Sequence, residues 1–331
     1  MIEISENRLD ELKKGFEGKR IAVIGDMMLD GYYWGDVKRI SPEAPVPVLE
    51  VEEEFFRFGG AANVALNIQT LGGTPIPVGV IGYDSYGTIF SSLMRENKIE
   101  DDYIVVDDER PTTTKTRVIA NNQHVVRIDK ENKSNISSKI EEKLVVQLAN
   151  LIDSLDGIIL QDYNKGVLTP SLINKIISIA NNKNILVTVD PKFDNFFDYK
   201  NVTVFKPNKK ETEAVLGMKI ISDEDISSAG ERLLLELNSQ YVLLTLGENG
   251  IAVFEKEGTE KRMPTKARKV ADVSGAGDTV ISTLTIALTA GANIYEASFL
   301  ANYAAGVVCG EVGIVPIEKE KLFEAVLRDS I

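Results

Sequence analysis

The chain has 331 residues, of which 44% are hydrophobic and 26% are charged, so it is long and apolar enough to bury a large core. Its formal net charge of −13 argues against a general nucleic-acid binder and against a binder of anionic membranes, because both need a surplus of Lys and Arg. Its single cysteine, Cys309, excludes an intrachain disulfide and a thiolate metal cluster, and its single histidine, His124, disfavours Ser-His-Asp and Cys-His catalysis.

Short apolar runs that end in polar residues recur along the chain and alternate with segments of helical periodicity. The first run, residues 21–24, leads to Asp26 and Asp30. This alternation predicts right-handed βαβ units and an α/β fold of three layers, α/β/α, with a mostly parallel central sheet. Ligands of such sheets gather at the carboxyl ends of the strands. The other predicted strands are 157–160, 185–189, 202–205 and 241–245, and the predicted helices include 64–71, 136–155, 170–181, 209–216, 226–237 and 279–290.

Two segments interrupt the alternation. Residues 32–58 and 103–129 contain strand-like stretches, and the second is typical of a hairpin that turns at residues 120–123. Together they predict a small β-sheet that covers a cleft. We expect residues 1–331 to form a single domain with this sheet as an appendage. We also expect a cytoplasmic protein, because no segment has the length of a membrane span and the first residues are polar rather than signal-like.

Residues near the first predicted strand and helix offer groups that bind sugars. Asp26 and Asp30 can each accept hydrogen bonds from two hydroxyls, although Asp at a strand end also caps turns. Gly59 and Gly60 permit close approach of the backbone to a polyhydroxylated ligand, and Asn63 offers both a donor and an acceptor. Packing is the alternative explanation for this glycine pair.

Asn208 and Glu211 stand three residues apart at the start of a predicted helix, so both can face one side. An amide and a carboxylate there can hold Mg²⁺ through water, because that ion retains much of its hydration. The same spacing matches a helix-capping box, so both interpretations stay open. Lys165 and Lys192 follow strand ends among carboxylates, where they either neutralise phosphates or form surface ion pairs.

The loop from Asp272 to Asp278 reads Asp-Val-Ser-Gly-Ala-Gly-Asp and runs into an uncharged apolar segment. If the loop opens a helix, the N–H groups of Gly275, Ala276 and Gly277 are unpaired donors at its positive end, able to hold a phosphate. Asp278 beside them is then suited to take a proton from an attacking hydroxyl. A tight turn followed by a helix-start Asp is the alternative.

In combination, the Gly-Gly-x-x-Asn segment at 59–63, the Asn-x-x-Glu segment at 208–211 and the loop at 272–278 resemble the motifs of the ribokinase-like (PfkB) carbohydrate kinases, in order and spacing over essentially the whole chain. Residues 25–30, 39–48 and 122–129 are similar to the members that use ATP to phosphorylate the C1 hydroxyl of D-glycero-β-D-manno-heptose 7-phosphate, a step towards ADP-heptose and lipopolysaccharide. Many such kinases are fused to a nucleotidyltransferase domain. Because this chain stops at Ile331, it resembles the stand-alone form.

The resemblance implies a role for each matching residue. Asp278 would be the base, and the amides of Gly275, Ala276 and Gly277 would form the anion hole. The sugar ligands would be Asp26, Asp30, Gly59, Gly60 and Asn63. ATP, the co-substrate, would meet Asn208, Glu211, Thr245, Gly247, Gly275, Gly277 and Asn302. Mg²⁺ would be held by Asn208 and Glu211, and Asp272 and Ser274 match a region where relatives bind a monovalent cation such as K⁺. The candidates for the 7-phosphate are Arg39, Lys115, Arg117, Arg127, Lys165 and Lys192.

The small sheet is similar to the lid of that family, which closes over the sugar and commonly forms a homodimer contact, so a sugar phosphate, ATP and a second copy are the expected partners, with no nucleic acid or membrane. Three alternatives stay open. The first is a kinase of this family for another sugar, sugar phosphate or nucleoside. The second is an NAD-binding oxidoreductase, against which no G-x-G-x-x-G follows the first strand. The third is a non-catalytic sugar sensor, which would need no base beside an anion hole.

Overall fold

The computed structural model describes residues 4–121, 123–266, 272–311 and 313–330. Within these ranges most strands join one sheet with helices on both faces. The strands are β1 (Arg20–Gly25), β2 (Met27–Ile40), β3 (Pro47–Gly60), β4 (Thr74–Gly82), β5 (Ile104–Asp107), β6 (Thr113–Ala120), β7 (Gln123–Lys130), β8 (Gly157–Gln161), β9 (Leu186–Asp190), β10 (Val204–Phe205), β11 (Tyr241–Thr245), β12 (Ile251–Glu255) and β13 (Glu260–Met263).

The central sheet has nine strands in the described part of the chain, in the order β13-β12-β11-β10-β9-β8-β1-β4-β5. The strands from β11 to β5 pair in parallel, and β12 and β13 add two antiparallel strands at one edge. The predicted mostly parallel sheet is therefore confirmed. The predicted strand at 202–205 is shorter, since only Val204–Phe205 pair with both neighbours.

The helices pack on the two faces of this sheet. Most begin at a residue whose side chain accepts a hydrogen bond from the first turn, as Ser5, Thr169 and Ser222 do. The helix predicted at 226–237 begins earlier because the Ser222 cap and Asp225 form a capping box. The helices are α1 (Glu6–Gly15), α2 (Ala61–Thr70), α3 (Ser85–Glu96), α4 (Ser138–Leu151), α5 (Pro170–Asn182), α6 (Lys209–Leu216), α7 (Asp223–Leu237), α8 (Ala276–Thr289), α9 (Ile294–Val308) and α10 (Lys319–Ser330).

Two hydrophobic clusters fill the space between the sheet and its helices, one on each face. Alternate residues of β1 divide between them: Ile21 and Val23 join the cluster with α1, α2, α3, α8, α9 and α10, whereas Ala22 and Ile24 join the cluster with α4 to α7. This division follows from the two-residue period of a strand. The three-layer α/β/α arrangement is therefore confirmed.

A separate four-stranded sheet, which we call the lid sheet, has the order β3-β2-β6-β7. Its boundaries differ from the predicted 32–58 and 103–129. β2 already begins at Met27, because Met27 pairs with Gly60 and the two long strands stay joined down to the central sheet. Ile104–Asp107 pairs with β4 and belongs to the central sheet. The predicted hairpin is present as β6 and β7, although its turn includes residue 122, which lies outside the described residues.

No helix in the described ranges has the length and apolar character needed to cross a bilayer.

Candidate active site

Asp278 lies in the first turn of α8, at the carboxyl ends of the central strands. The first hydrogen bond within this helix runs from the N–H of Thr279 to the carbonyl of Gly275, at 3.0 Å. The N–H groups of Gly277 and Asp278 therefore have no carbonyl of α8 to bond, and they point out from its positive end. The N–H of Ala276, predicted to be unpaired, instead donates to the carbonyl of Val273 at 3.3 Å, because the loop makes a tight turn before the helix. Helix α8 thus presents backbone donors beside a carboxylate.

Three uncharged side chains hold the Asp278 carboxylate. The amide of Asn63, in α2, donates to Oδ2 at 2.7 Å. The hydroxyl of Tyr163 donates to Oδ1 at 2.7 Å, and the amide of Gln161, the last residue of β8, donates to the same oxygen at 3.2 Å. The carboxylate is only 4% exposed. Its orientation is therefore fixed from three sides by donors that carry no charge.

Burial raises the pKa of Asp278 to about 6, and the negative charge of Asp190 acts in the same direction. The hydrogen bonds from Asn63 and Tyr163 oppose this shift, as does the positive charge of Lys206. A carboxylate in this pKa range is mostly ionised near neutral pH and is a better proton acceptor than an ordinary Asp. The geometry therefore suits general-base chemistry.

A buried ion pair lies next to this carboxylate. Lys206, one residue after β10, places its ammonium 3.0 Å from Oδ1 of Asp190, the last residue of β9. Oδ2 of Asp190 accepts a hydrogen bond from the amide of Gln161 at 3.1 Å. Gln161 thus joins the ion pair to Asp278, because its one amide nitrogen serves both carboxylates.

Asp30 lies in β2 of the lid sheet, where the guanidinium of Arg117 in β6 donates to its carboxylate and lies over the ring of Tyr32 at 5.3 Å. A Cβ on Gly59 would stand 2.5 Å from Oδ2 of Asp30, and a Cβ on Gly60, whose φ is +58°, would stand 2.4 Å from the carbonyl of Asp26. Residue 60 therefore requires glycine, whereas a side chain at residue 59 would displace the Asp30 carboxylate. The lid sheet thus brings Asp30 to the strand end that leads into α2.

Asp26 is 1% exposed and its carboxylate accepts three backbone hydrogen bonds. The donors are the N–H groups of Tyr163 at 2.8 Å, Lys165 at 3.1 Å and Val167 at 3.2 Å. Burial raises the pKa of Asp26, whereas these three amides act against the shift. This geometry supports a role in shaping the loop that carries Tyr163, and the predicted sugar contact of Asp26 stays a prediction.

The predicted phosphate-binding cations differ in their surroundings. Arg39 is exposed near the far end of β2, and Arg127 is exposed on β7, where it pairs with Asp129 at 2.8 Å. Lys165 pairs with Glu131 at 2.7 Å. The structure therefore brings neither Arg39 nor Arg127 to the Asp278 carboxylate.

Lys115 and Lys192 both approach Tyr163, whose hydroxyl donates to Asp278. Their ammonium groups lie 5.3 Å and 5.4 Å from the centre of its ring. Lys192 also pairs with Glu211. Lys115 is half-buried and, in the part of the chain that the structure describes, forms no ion pair with a carboxylate. These two predicted cations therefore contact the tyrosine whose hydroxyl donates to the candidate base.

Asn208 and Glu211 form a capping box at the start of α6. The side-chain oxygen Oδ1 of Asn208 accepts a hydrogen bond from the N–H of Glu211 at 2.9 Å, and Oε2 of Glu211 accepts one from the N–H of Asn208 at 2.9 Å. Because the other oxygen of Glu211 faces Lys192, this pair fits Mg²⁺ held through water rather than directly. The described residues contain no group of three or more His, Cys, Asp and Glu side chains arranged to hold a metal ion.

Two of the predicted nucleotide residues, Thr245 and Gly247, lie at or just after the end of β11. The N–H of Thr245 donates to the carbonyl of Pro207 at 3.0 Å, which places the end of β11 next to Asn208. Gly247 begins a short 3₁₀ turn directly afterwards. The amide of Asn302, in α9, donates to the carbonyl of Pro264 at 2.7 Å. Thr245 thus lies beside the Asn208 cap, and Gly247 follows it by two residues.

Asp272 and Ser274 lie in the loop before α8. The carboxylate of Asp272 accepts the N–H of Ser274 at 2.9 Å and the N–H of Gly313 at 3.2 Å. Partial burial acts to raise the pKa of Asp272, but these hydrogen bonds hold it below its usual value. The carboxylate is therefore ionised, as a cation site there would require.

Four residues of this site were not among the predicted catalytic or binding residues: Gln161, Tyr163, Asp190 and Lys206. Each stands at or just after the end of a buried parallel strand. Their position after a predicted strand is the only feature of the sequence that could have identified them, because it places a polar side chain at the edge where ligands of α/β sheets bind.

Comparison with known families decides the affiliation. The family model described as pfkB family carbohydrate kinase matches residues 19–320. The chain belongs to the pfkB family of carbohydrate kinases. As a pfkB carbohydrate kinase it is a phosphotransferase whose acceptor is a hydroxyl group, which confirms the predicted family and enzyme class.

Curated relatives of this pfkB kinase carry the name bifunctional protein HldE. The relative from Geobacter sulfurreducens is 44% identical over 291 residues, which are 88% of this chain and 59% of that protein. The relative from Syntrophotalea carbinolica is 38% identical over 326 residues, which are 98% of this chain and 66% of that protein. The chain therefore spans less than two thirds of the length of these relatives.

Solved structures share the fold at low identity. Phosphofructokinase-2 from Escherichia coli in complex with potassium has a TM-score of 0.77 and 19% identity, and the match covers 95% of this chain and 100% of that one. Ribokinase from Arabidopsis thaliana, complexed with ribose and ATP, has a TM-score of 0.73 and 19% identity, covering 94% and 99%. These matches confirm the predicted ribokinase-like fold.

Proposed function

We propose that this pfkB kinase transfers the γ-phosphoryl group of ATP to the C1 hydroxyl of D-glycero-β-D-manno-heptose 7-phosphate, and that the 1,7-bisphosphate product serves ADP-heptose synthesis for lipopolysaccharide. The observation that carries the kinase chemistry is the buried Asp278 carboxylate, held by Asn63, Gln161 and Tyr163 at the start of α8. The heptose acceptor is supported by the resemblance of residues 25–30, 39–48 and 122–129 and by the identity with the HldE relatives.

The proposed step is a direct in-line displacement without a covalent enzyme intermediate. Asp278 takes the proton of the acceptor hydroxyl as its oxygen bonds to the γ-phosphorus, and ADP leaves. The N–H groups of Gly275, Ala276 and Gly277 would stabilise the charge that builds up on the transferring group. Gly277 supports this role because its N–H precedes the first bond of α8, whereas Ala276 would have to release the carbonyl of Val273. Asp30, Gly59, Gly60 and Asn63 would hold the sugar hydroxyls.

For the 7-phosphate, the geometry favours Lys115. It stands on the face of Tyr163, while the hydroxyl of the same tyrosine donates to Asp278. A sugar laid along that ring would therefore place its reacting hydroxyl at the base and a distal phosphate near Lys115. Burial lowers the pKa of Lys115, and a bound phosphate would counter this shift by stabilising the charged ammonium.

Two ion sites complete the proposed active site. Mg²⁺ held through water by Asn208 and Glu211 would neutralise charge on the phosphates of ATP. Asp272 and Ser274 would hold a monovalent cation.

A homodimer through the lid sheet is supported by β7, an edge strand whose residues are all exposed and include the apolar Val125, Val126 and Ile128. We propose a cytoplasmic location, where ATP is available and a lone thiol stays reduced.

The pH dependence of the reaction should report the Asp278 carboxylate. Because the base acts in its ionised form, kcat/KM should fall about tenfold per pH unit below the folded-state pKa, which is about 6. Tyr163→Phe removes a donor that favours the carboxylate, so it should move this acid limb to higher pH. The pH profile of kcat/KM checks both results. An acid limb near the ordinary pKa of Asp, unmoved by Tyr163→Phe, would contradict them.

A panel of acceptors tests the substrate. ADP release would be measured with the heptose 7-phosphate, the unphosphorylated heptose, fructose 6-phosphate, ribose and a nucleoside, each with and without Mg²⁺. We expect the heptose 7-phosphate to give the highest kcat/KM, and only in the presence of Mg²⁺. Lys115→Met should raise KM for this substrate and leave KM for ATP unchanged. A higher kcat/KM with another acceptor would overturn the heptose assignment.

A further inference from the structure

The ion pair between Lys206 and Asp190 is almost completely buried. The two side chains are 3% and 7% exposed, and the ammonium lies 3.0 Å from Oδ1 of Asp190. Burying two charges is costly, and a buried pair is often no more stable than apolar side chains of the same size. A contribution to folding alone therefore gives little reason for a charged pair at this position.

The pair lies against the amide-bearing turn of α8. A Cβ built on Gly277 would stand 3.9 Å from the Nζ of Lys206 and 3.7 Å from Oδ2 of Asp190. Gly277 carries one of the N–H groups that precede the first hydrogen bond of α8. The lysine ammonium and these backbone donors therefore border the same small volume.

Lys206 also has donors to spare. An ammonium carries three N–H groups, and among the described residues Asp190 is the partner of Lys206. Two carboxylates stand beside this volume, since Gln161 links Asp190 to Asp278 through one amide nitrogen at 3.1 and 3.2 Å. Two carboxylates would repel an incoming phosphoryl group unless a cation stood between them and it.

We propose that Lys206 is a further catalytic residue, whose ammonium contacts the transferring phosphoryl group beside the N–H of Gly277. The inference rests on the proposed kinase function. In the step, the acceptor oxygen bonds to the γ-phosphorus, the bond from that phosphorus to the bridging oxygen of ADP breaks, and the acceptor proton passes to Asp278. Lys206 keeps its proton throughout and balances charge on the oxygens of the group in transfer.

Lys206→Met tests the proposal, because methionine fills a similar volume without charge. We expect kcat to fall by about 10²–10³-fold, as for the loss of one donor to a transition-state oxygen. KM for ATP and for the sugar should change by less than about threefold, since the contact strengthens mainly in the transition state. Lys183→Met is the matched control: Lys183 is exposed and pairs with Asp153, so kcat should stay at the wild-type value.

A double variant distinguishes a catalytic role of Lys206 from a role in neutralising the buried charge of Asp190. Asp190→Asn removes the charge that Lys206 neutralises, and Asp190→Asn/Lys206→Met leaves no unpaired charge even if Lys206→Met alone fails to fold. If Lys206 contacts the phosphoryl group, the double variant should still turn over at least about tenfold more slowly than Asp190→Asn. Equal turnover of these two variants would overturn the proposal.

Binding of a transition-state mimic gives a readout besides activity. ADP, Mg²⁺ and aluminium fluoride, added with the sugar, should raise the Tm of the wild type more than that of the Lys206→Met protein, whereas ADP and Mg²⁺ alone should raise both equally. An equal response to the mimic would also overturn the proposal. Each comparison uses the acceptor that gives the highest kcat/KM in the panel. If that acceptor is not the heptose 7-phosphate, the heptose assignment is refuted, but the effect of Lys206→Met on phosphoryl transfer can still be measured.

Discussion

Asp278→Asn should lower kcat by about 10²–10⁴-fold, the usual contribution of a general base. KM for the sugar should change little, because the amide fits the same volume. Its one oxygen can still accept from Tyr163 and Gln161, and the amide of Asn63 can turn its oxygen towards the new N–H. Steady-state kinetics with the best acceptor measures both parameters.

The control for this variant is Asp153→Asn, because Asp153 is exposed and pairs only with Lys183 among the described residues. Its kcat should equal that of the wild type. Turnover of Asp278→Asn within about threefold of the wild type would remove Asp278 from the role of base, since general-base help of even the smallest usual size exceeds that factor. The acid limb of the pH profile would then need another titrating group.

Asp26→Ala should destabilise the fold by about 2–4 kcal/mol, because it leaves buried backbone donors without an acceptor. The three donors are the N–H groups of Tyr163, Lys165 and Val167. The loss is smaller than three full hydrogen bonds, because removing the buried carboxylate also removes the cost of its burial. Urea denaturation followed by circular dichroism gives the change in midpoint.

Two comparisons make this result specific. Asp102→Ala changes an exposed aspartate and should leave the midpoint unchanged. The loop that Asp26 holds carries Tyr163, so Asp26→Ala should also lower kcat at temperatures where the protein remains folded. A variant with full stability and a raised KM for the sugar alone would instead support the predicted contact between Asp26 and the sugar.

The central sheet was predictable from the sequence because its strands are apolar on both faces. In β1, the successive residues Ile21 and Ala22 are both fully buried. Such a strand is a continuous apolar run between polar residues, so it can be recognised without an alternating pattern. The strand β12 was missed although Ile251–Glu255 shows the same contrast, and β13 was missed because Glu260–Met263 is mostly polar. The lid boundary shifted because β2 starts at Met27, only two residues after β1 ends at Gly25, so the lid sheet begins directly beside the central sheet. Its first residues pair with the end of β3, a contact between distant segments that the local sequence does not reveal.

The site was predictable where a motif combines glycine with a charged or amide residue, as at Gly277 and Asp278. It was not predictable where a residue depends on contacts between distant strands. Gln161 contributes to the site only because β8 pairs with β9, which places its side-chain amide between Asp190 and Asp278. Lys206 precedes a recognisable capping motif, yet only the packing of β10 against β9 shows that it faces a carboxylate.

The passage from β3 into α2 has a mechanical consequence. β3 leaves the lid sheet at Gly60, and α2 starts with the very next residue and carries Asn63, whose amide grips the Asp278 carboxylate. No linker separates β3 from α2, so a tilt of the lid sheet would move Asn63 directly, and Asn63 orients the Asp278 carboxylate. Shutting the cleft and aligning the proton acceptor would then be one movement, and an open enzyme would be an idle one even with ATP in place.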